Sequence, residues 1–442
     1  MVRIFSFLDR QHSIASLGYS RWIIPPAAWA INLSIGQVYA FSVYKLPLTR
    51  SLGISHSIAG DWSQTSIAWI FSFAIAVLGC SAAVLGGWMD RVGPRRATFY
   101  ASVLFATGFF GSALGVHFHQ LWLLYLSYGF MGGIGLGLGY ITPVATLIRW
   151  FPDRPGLATG IAMVGFGAGA MVGSPLSLGL MHHFASPNST GIEASFLVMG
   201  ALYFIAMTTG SLFIKLPPES TSSQPQGMEE DQSISAQQAI RTPQFWLLWL
   251  LVCTNSIAGF GIIEQASPMI QDFFPVGPLF AATFVSVLSF FNVGGRFIWA
   301  SISDYLGRKR TFLLLHLIGV SLYWFLPDTG STHLNNIRFF FILAGIAISL
   351  YGGGFSIAPS YTRELFGTKE VGAIYGRLQT ATATAGILGP ILVNAWRQHE
   401  IARGLSTSEA YRAVLHFMIL LILVSALANL LIQPLDSRQK IA

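Results

Sequence analysis

The sequence predicts an all-α membrane protein: twelve transmembrane helices arranged as two pseudo-symmetric six-helix halves. Three observations carry that prediction. Only 10% of the 442 residues are charged while 53% are hydrophobic, against about 25% charged in a soluble domain, so the chain lacks the polar residues to cover a water-facing surface. The apolar residues fall in runs of roughly 20, the length that crosses about 30 Å of hydrocarbon as helix. The runs also recur, with landmarks of the first half returning a little over 210 residues later.

The apolar segments lie at about 22–46, 62–87, 96–116, 120–148, 156–181, 194–214, 244–264, 278–302, 310–327, 337–361, 371–396 and 411–433. Gly, Ala and Ser are frequent in each, as expected where helix backbones must approach closely without a hydrophobic force between them. With a cytoplasmic N-terminus, 17 of the 25 Lys and Arg residues fall on the inner side and six on the outer side. That asymmetry places both termini in the cytoplasm. Arg296 and Arg377 are the two left over, inside membrane segments. The first twenty residues read as a cytoplasmic tail and not as a signal peptide. Residues 217–243 are rich in Pro, Ser and Gln, hold the acidic cluster Glu229, Glu230 and Asp231, and read as a solvated linker with a short helix near 234–241. The expected organisation is therefore an N-terminal half (1–214), a cytoplasmic linker (215–243) and a C-terminal half (244–442).

The net charge of +7 is spread over short loops, as topology signals are, which argues against a nucleic-acid partner. Cys80 and Cys253 lie inside apolar runs and suggest neither a disulfide nor a metal site. No nucleophile–base pair or metal-ligand spacing appears, so no enzyme, no cofactor and no bound metal are expected. The glycine run from Gly132 to Gly139 lies within a helix and follows no strand, so it reads as close helix packing and not as a dinucleotide loop.

The repeat is sharpest in the loops. After the second helix comes Gly86-Gly-Trp-Met-Asp90-Arg91-Val-Gly93, and after the eighth comes Ser301-Ile-Ser-Asp304-Tyr-Leu-Gly307-Arg308. The two aspartates are 214 positions apart, as are Arg149 and Arg363 at the ends of the fourth and tenth helices, and Pro175 and Pro390 differ by 215. The G-x-x-x-D-R-x-G loop resembles the cytoplasmic signature of the major facilitator superfamily. The resemblance implies the twelve-helix fold and gives Asp90, Arg91, Asp304 and Arg308 a gating role. An aspartate there can accept from a helix N-terminus and from arginines.

An arginine in hydrocarbon costs about 2.5–3.5 kcal/mol on insertion scales, so it usually faces a cavity or an anion. Arg296, in Phe290-Phe-Asn292-Val-Gly-Gly-Arg296, and Arg377, in Ile374-Tyr-Gly-Arg377, suit a carboxylate, to which a guanidinium offers a planar fork of donors. Snorkelling to the inner interface is the structural alternative. Gln37, Tyr39, Tyr140 and Tyr351 are candidate cavity-lining hydrogen-bonding groups, the tyrosines set among glycines.

More specific is the resemblance of Trp150-Phe-Pro-Asp153-Arg154-Pro-Gly156-Leu-Ala-Thr-Gly160, Tyr351-Gly-Gly-Gly-Phe-Ser-Ile-Ala-Pro359, Glu364-Leu-Phe-Gly367 and Gln37-Val-Tyr39 to the oxalate–formate antiporter family, which lies close to the monocarboxylate transporters. It covers essentially the whole chain. It implies that Arg296 grips a substrate carboxylate and that Tyr39 belongs to the same site. Where the oxalate carriers have a lysine in the eleventh helix, this chain has Thr382, with Arg377 five residues earlier. Where the monocarboxylate transporters have a proton-accepting aspartate four residues before the arginine, it has Asn292, which cannot take up a proton.

The expectation is a secondary transporter of a small carboxylate (lactate, pyruvate, formate or oxalate) in a bacterial inner membrane, working as a monomer by alternating access. Its partners would be the lipid bilayer and either protons or a counter-anion. The substrate contacts would be Arg296, Tyr39, Asn292, Tyr140, Arg377, Gln37 and Tyr351. The alternatives are an exporter of the drug or sugar class with the same fold, and a sensor that no longer transports.

Overall fold

Helices form where the hydropathy pattern places them. In a computed structural model, which describes residues 6–54, 56–218, 233–274, 276–329 and 336–435, the first half holds α1 (Ile24–Ile35, continued by a 3-10 stretch Gly36–Phe41 and a helical end Ser42–Leu48), α2 (Gln64–Val92) and α3 (Pro94–His117). It continues with α4 (Leu121–Leu124, a π-helical stretch Tyr125–Gly132, then Gly133–Trp150), α5 (Pro155–Phe184) and α6 (Ile192–Phe213). The second half holds α7 (Pro243–Phe273), α8 (Pro278–Leu306), α9 (Arg308–Thr329), α10 (Ile337–Phe366), α11 (Val371–Ala402) and α12 (Thr407–Leu431). Among the described residues, nine helices are long and apolar enough to cross a membrane on length and composition alone. The remaining helices are α1, interrupted by its 3-10 stretch, α7 and α11.

Local chemistry sets the ends. Ser63, Thr242 and Asn336 each accept a hydrogen bond from the first turn of α2, α7 and α10, satisfying an amide left open at a helix start. Ser406 and Glu409 form a reciprocal capping box on α12. At the other ends, Gly93 and Gly307 stop α2 and α8 with φ of 90° and 82°, a region that a side chain disfavours. These two glycines are 214 positions apart, so the repeated loop is a repeated helix stop.

The two halves also pack alike. α1 lies on α4 and α6, α2 on α4, and α3 on α4 and α6; in the second half α7 lies on α10 and α12, α8 on α10, and α9 on α10 and α12. Each of these pairings in the first half recurs at the equivalent place in the second. The glycines of α4 serve this packing: Gly135 abuts the backbone of α3 near Phe105, Gly137 abuts α2 near Ser81, and Gly139 faces Ile35 of α1. This agrees with the packing reading of that run.

The chain divides into two compact units that follow the halves except at two helix starts. Unit 1 is Met1–Asp153, Ala162–Ala236 and Thr368–Ala383; unit 2 is Arg154–Ile161, Gln237–Gly367 and Thr384–Ala442. The start of α5 thus packs with the second half, and the first part of α11 with the first half. The N-terminal tail is part of unit 1: Ser13 and Ala15 pair with Leu216, and Arg95 donates to the Phe7 carbonyl. Ala236–Ala239 forms the short helix expected in the linker, while the acidic cluster 229–231 lies outside the described residues.

Candidate functional site

In unit 2 the site is built on α8. Arg296 is fully buried, and Asn292, one turn earlier, accepts from its Nε at 2.8 Å. Phe355 of α10 lies beneath the guanidinium, 5.3 Å from ring centroid to Cζ. Desolvation strengthens such a cation–ring contact. Room for these side chains comes from α10: a side chain at Gly352 would strike Asn292 and the Arg296 stem. Tyr351 packs against Phe355 and Phe260, with centroids 5.9 and 5.7 Å apart. Arg296, Asn292 and Tyr351 are therefore brought together through Phe355, a residue the sequence reading did not single out. The Asn292 carbonyl oxygen is thus engaged by the arginine.

In unit 1, Tyr39 and Tyr140 each lie edge-on to one ring, Phe166 of α5, with ring centroids 5.2 and 5.1 Å apart. The Tyr140 hydroxyl accepts from Tyr375 of α11 at 3.2 Å. Tyr39 sits in the 3-10 stretch of α1. The helix is irregular there beside a tight backbone approach, since a side chain at Gly36 would collide with the Phe166 carbonyl and the Gly169 Cα.

Gln37, two residues away, is fully buried. Its Nε2 donates to Ser177 Oγ and its Oε1 accepts from Tyr203, both at 3.1 Å. Both ends of the amide are taken by protein groups, tying α1 to α5 and α6. Tyr44 completes that network by donating to Ser177 at 2.8 Å.

Arg377 is half-buried on α11, and its Nη1 is enclosed without a hydrogen-bond partner among the described residues. At 3.6 residues per turn, it projects roughly opposite to Tyr375 and Gln379. Sequence reasoning also passed over Asn32 of α1, which is wholly buried with neither amide atom hydrogen-bonded among the described residues.

The repeated aspartates hold helix starts. Asp304 accepts from the amides of Gly156 and Leu157 in the first turn of α5, both at 2.8 Å. It is also paired with Arg308, which donates to Ser303 at 2.9 Å. Asp90 accepts from the Ala373 amide in the first turn of α11 at 3.0 Å. A carboxylate is favoured at the positive end of a helix, and each aspartate here joins one sequence half to the other. The cation on Asp90 is Arg149 of α4, at 2.7 Å. Arg91 is exposed and donates to Gly87 of its own helix.

A family model described as Major Facilitator Superfamily matches residues 13–390. The chain belongs to the major facilitator superfamily. Its relatives include the oxalate:formate antiporter of Oxalobacter formigenes, 26% identical over 84% of this chain and 83% of that protein. Another relative is monocarboxylate transporter 13 of Rattus norvegicus, 26% identical over 84% of this chain and 81% of that one. Among solved structures, the proton:xylose symporter XylE superposes with a TM-score of 0.68 at 15% identity, covering 94% of this chain and 97% of that chain. The fold is that of a superfamily transporter. The protein is a multi-pass membrane transporter and not an enzyme.

Proposed function

We propose that the protein carries a small monocarboxylate across the bacterial inner membrane by alternating access, with both termini in the cytoplasm. The observation that carries this reading is Arg296: a fully buried guanidinium in a transmembrane helix, held by Asn292 and backed by Phe355. An arginine kept at that cost and oriented in advance is suited to a carboxylate. The relatives named for oxalate, formate and monocarboxylates agree in chemical class.

A single charge in the anion site favours a monocarboxylate over a dicarboxylate. Thr382 is neutral, and Arg377 leaves α11 on another face. Tyr351, in the same unit as Arg296, is the hydroxyl assigned to the substrate. Asp90 with Arg149, and Asp304 with Arg308, act as cytoplasmic latches on the starts of α11 and α5, and each cycle releases and remakes them.

The test is uptake of radiolabelled lactate, formate and oxalate into proteoliposomes. Wild-type protein is expected to take up the monocarboxylates in preference to oxalate. Arg296→Ala should abolish uptake, and Arg296→Lys, which keeps charge without the fork, should retain a few per cent. Undiminished uptake by the alanine variant would remove Arg296 from the site.

A further inference from the structure

The first part of α11 carries a polar face that the reading above leaves unused. Tyr375, Gln379 and Thr382 are four and three residues apart and therefore stack on one side of the helix. The same stretch packs closely on α2: Gly79 abuts Ala383 and the Gln379 carbonyl, and Gly86 abuts Gly372 and Ala373. Gln379 and Thr382 are 2% and 4% exposed. Yet Oε1 of Gln379 and Oγ1 of Thr382 have no hydrogen-bond partner among the described residues.

Among the buried threonines of the described residues, Thr382 is unusual in this. The other buried helical threonines satisfy themselves on their own helix: Thr142, Thr146 and Thr362 each donate to the carbonyl four residues back, at 2.6 to 2.8 Å. Thr380, only two residues before Thr382, donates to the Arg377 carbonyl at 2.8 Å. Thr382 forgoes that bond. Buried polar atoms are almost always paired, so two unpaired oxygens on adjacent turns of one face await a ligand.

The atom types define the ligand. An amide oxygen only accepts, so Gln379 Oε1 needs a donor; a threonine hydroxyl donates or accepts. One hydroxyl group answers both, donating to Gln379 and accepting from Thr382. A ketone or carboxylate oxygen cannot donate and leaves Gln379 unsatisfied. We propose that Gln379 and Thr382 form a hydroxyl-recognising subsite that the substrate meets during its passage, so that the cargo is a hydroxy-substituted monocarboxylate. This inference rests on the carboxylate reading above and narrows it.

The experiment compares initial uptake of lactate and propionate, which differ by one hydroxyl, alongside their amides lactamide and propionamide. It uses full-length wild-type, Gln379→Leu and Thr382→Val proteins in proteoliposomes. The wild type should favour lactate over propionate by about ten-fold, the usual scale for a buried polar group left unpaired. Each variant should bring that ratio close to one. A ratio is independent of how much protein folds, so poor expression cannot mimic the result. Equal wild-type uptake of lactate and propionate, or a preference that survives in both variants, overturns the subsite and leaves the carboxylate reading standing. If the amides move and the acids do not, the carboxylate reading fails, and the lactamide-to-propionamide ratio still reports the subsite. Uptake of none of the four contradicts both.

Discussion

Arg296 and Arg377 are both arginines inside membrane helices, and their surroundings differ in kind. Arg296 is fully buried, hydrogen-bonded by a neutral amide one turn away and supported by a phenylalanine ring. Arg377 is half-buried on the side of α11 away from Tyr375, Gln379 and Thr382, where the polar groups are neutral. Depth in the membrane makes an arginine costly in both places, but Asn292 holds the Nε of Arg296, whereas Nη1 of Arg377 has no hydrogen-bond partner among the described residues. A preorganised guanidinium loses less freedom when it binds an anion, and this is why the two are assigned different work.

The largest effect that would break the comparison is loss of the charge itself. Arg296→Ala should lower lactate uptake by at least about 100-fold, the scale for truncating one partner of a buried charge contact; Arg377→Ala with an equal loss would erase the distinction. Next, Asn292→Leu removes the acceptor on Nε and should raise the half-saturating lactate concentration about ten-fold, with a smaller change in maximal rate. Phe355→Leu keeps a large apolar side chain and removes the ring, and should weaken lactate by about five-fold, within the range of a desolvated cation–π contact. The smallest change is expected from Arg377→Gln, about two-fold in uptake, as for substitutions away from a site. A collapse of monocarboxylate uptake in that variant would bring Arg377 back into the anion site.

Much of the fold was legible in the sequence because hydropathy and loop charge are local signals. All twelve segments appear as helices, and the repeated Asp-x-x-Gly becomes a repeated helix stop with an aspartate holding another helix start. What the sequence could not supply was rotation and irregularity. Hydropathy says that a segment spans, but not which residues share a face with which neighbour. The partner of Asp90 is Arg149 and not the adjacent Arg91. Gln37 is engaged by Ser177 and Tyr203, residues far along the chain, and Phe355 reaches Arg296 only because glycines let α10 approach α8. The 3-10 stretch of α1 begins at the close approach of Gly36 to α5. Arg296 could be read in advance because a charge in an apolar run stands out. Gln379 and Thr382 could not, since a glutamine or threonine in a helix draws notice only when its oxygen is seen to be buried without a partner.

The central claim is that Arg296 binds a monocarboxylate, and equilibrium binding of lactate and oxalate to purified wild-type and Arg296→Ala protein in nanodiscs tests it most directly. The account predicts saturable lactate binding to the wild type, oxalate weaker by about ten-fold or more in keeping with one charged partner, and no lactate binding to the variant. Lactate bound equally well by Arg296→Ala, or oxalate bound more tightly than lactate by the wild type, would contradict it.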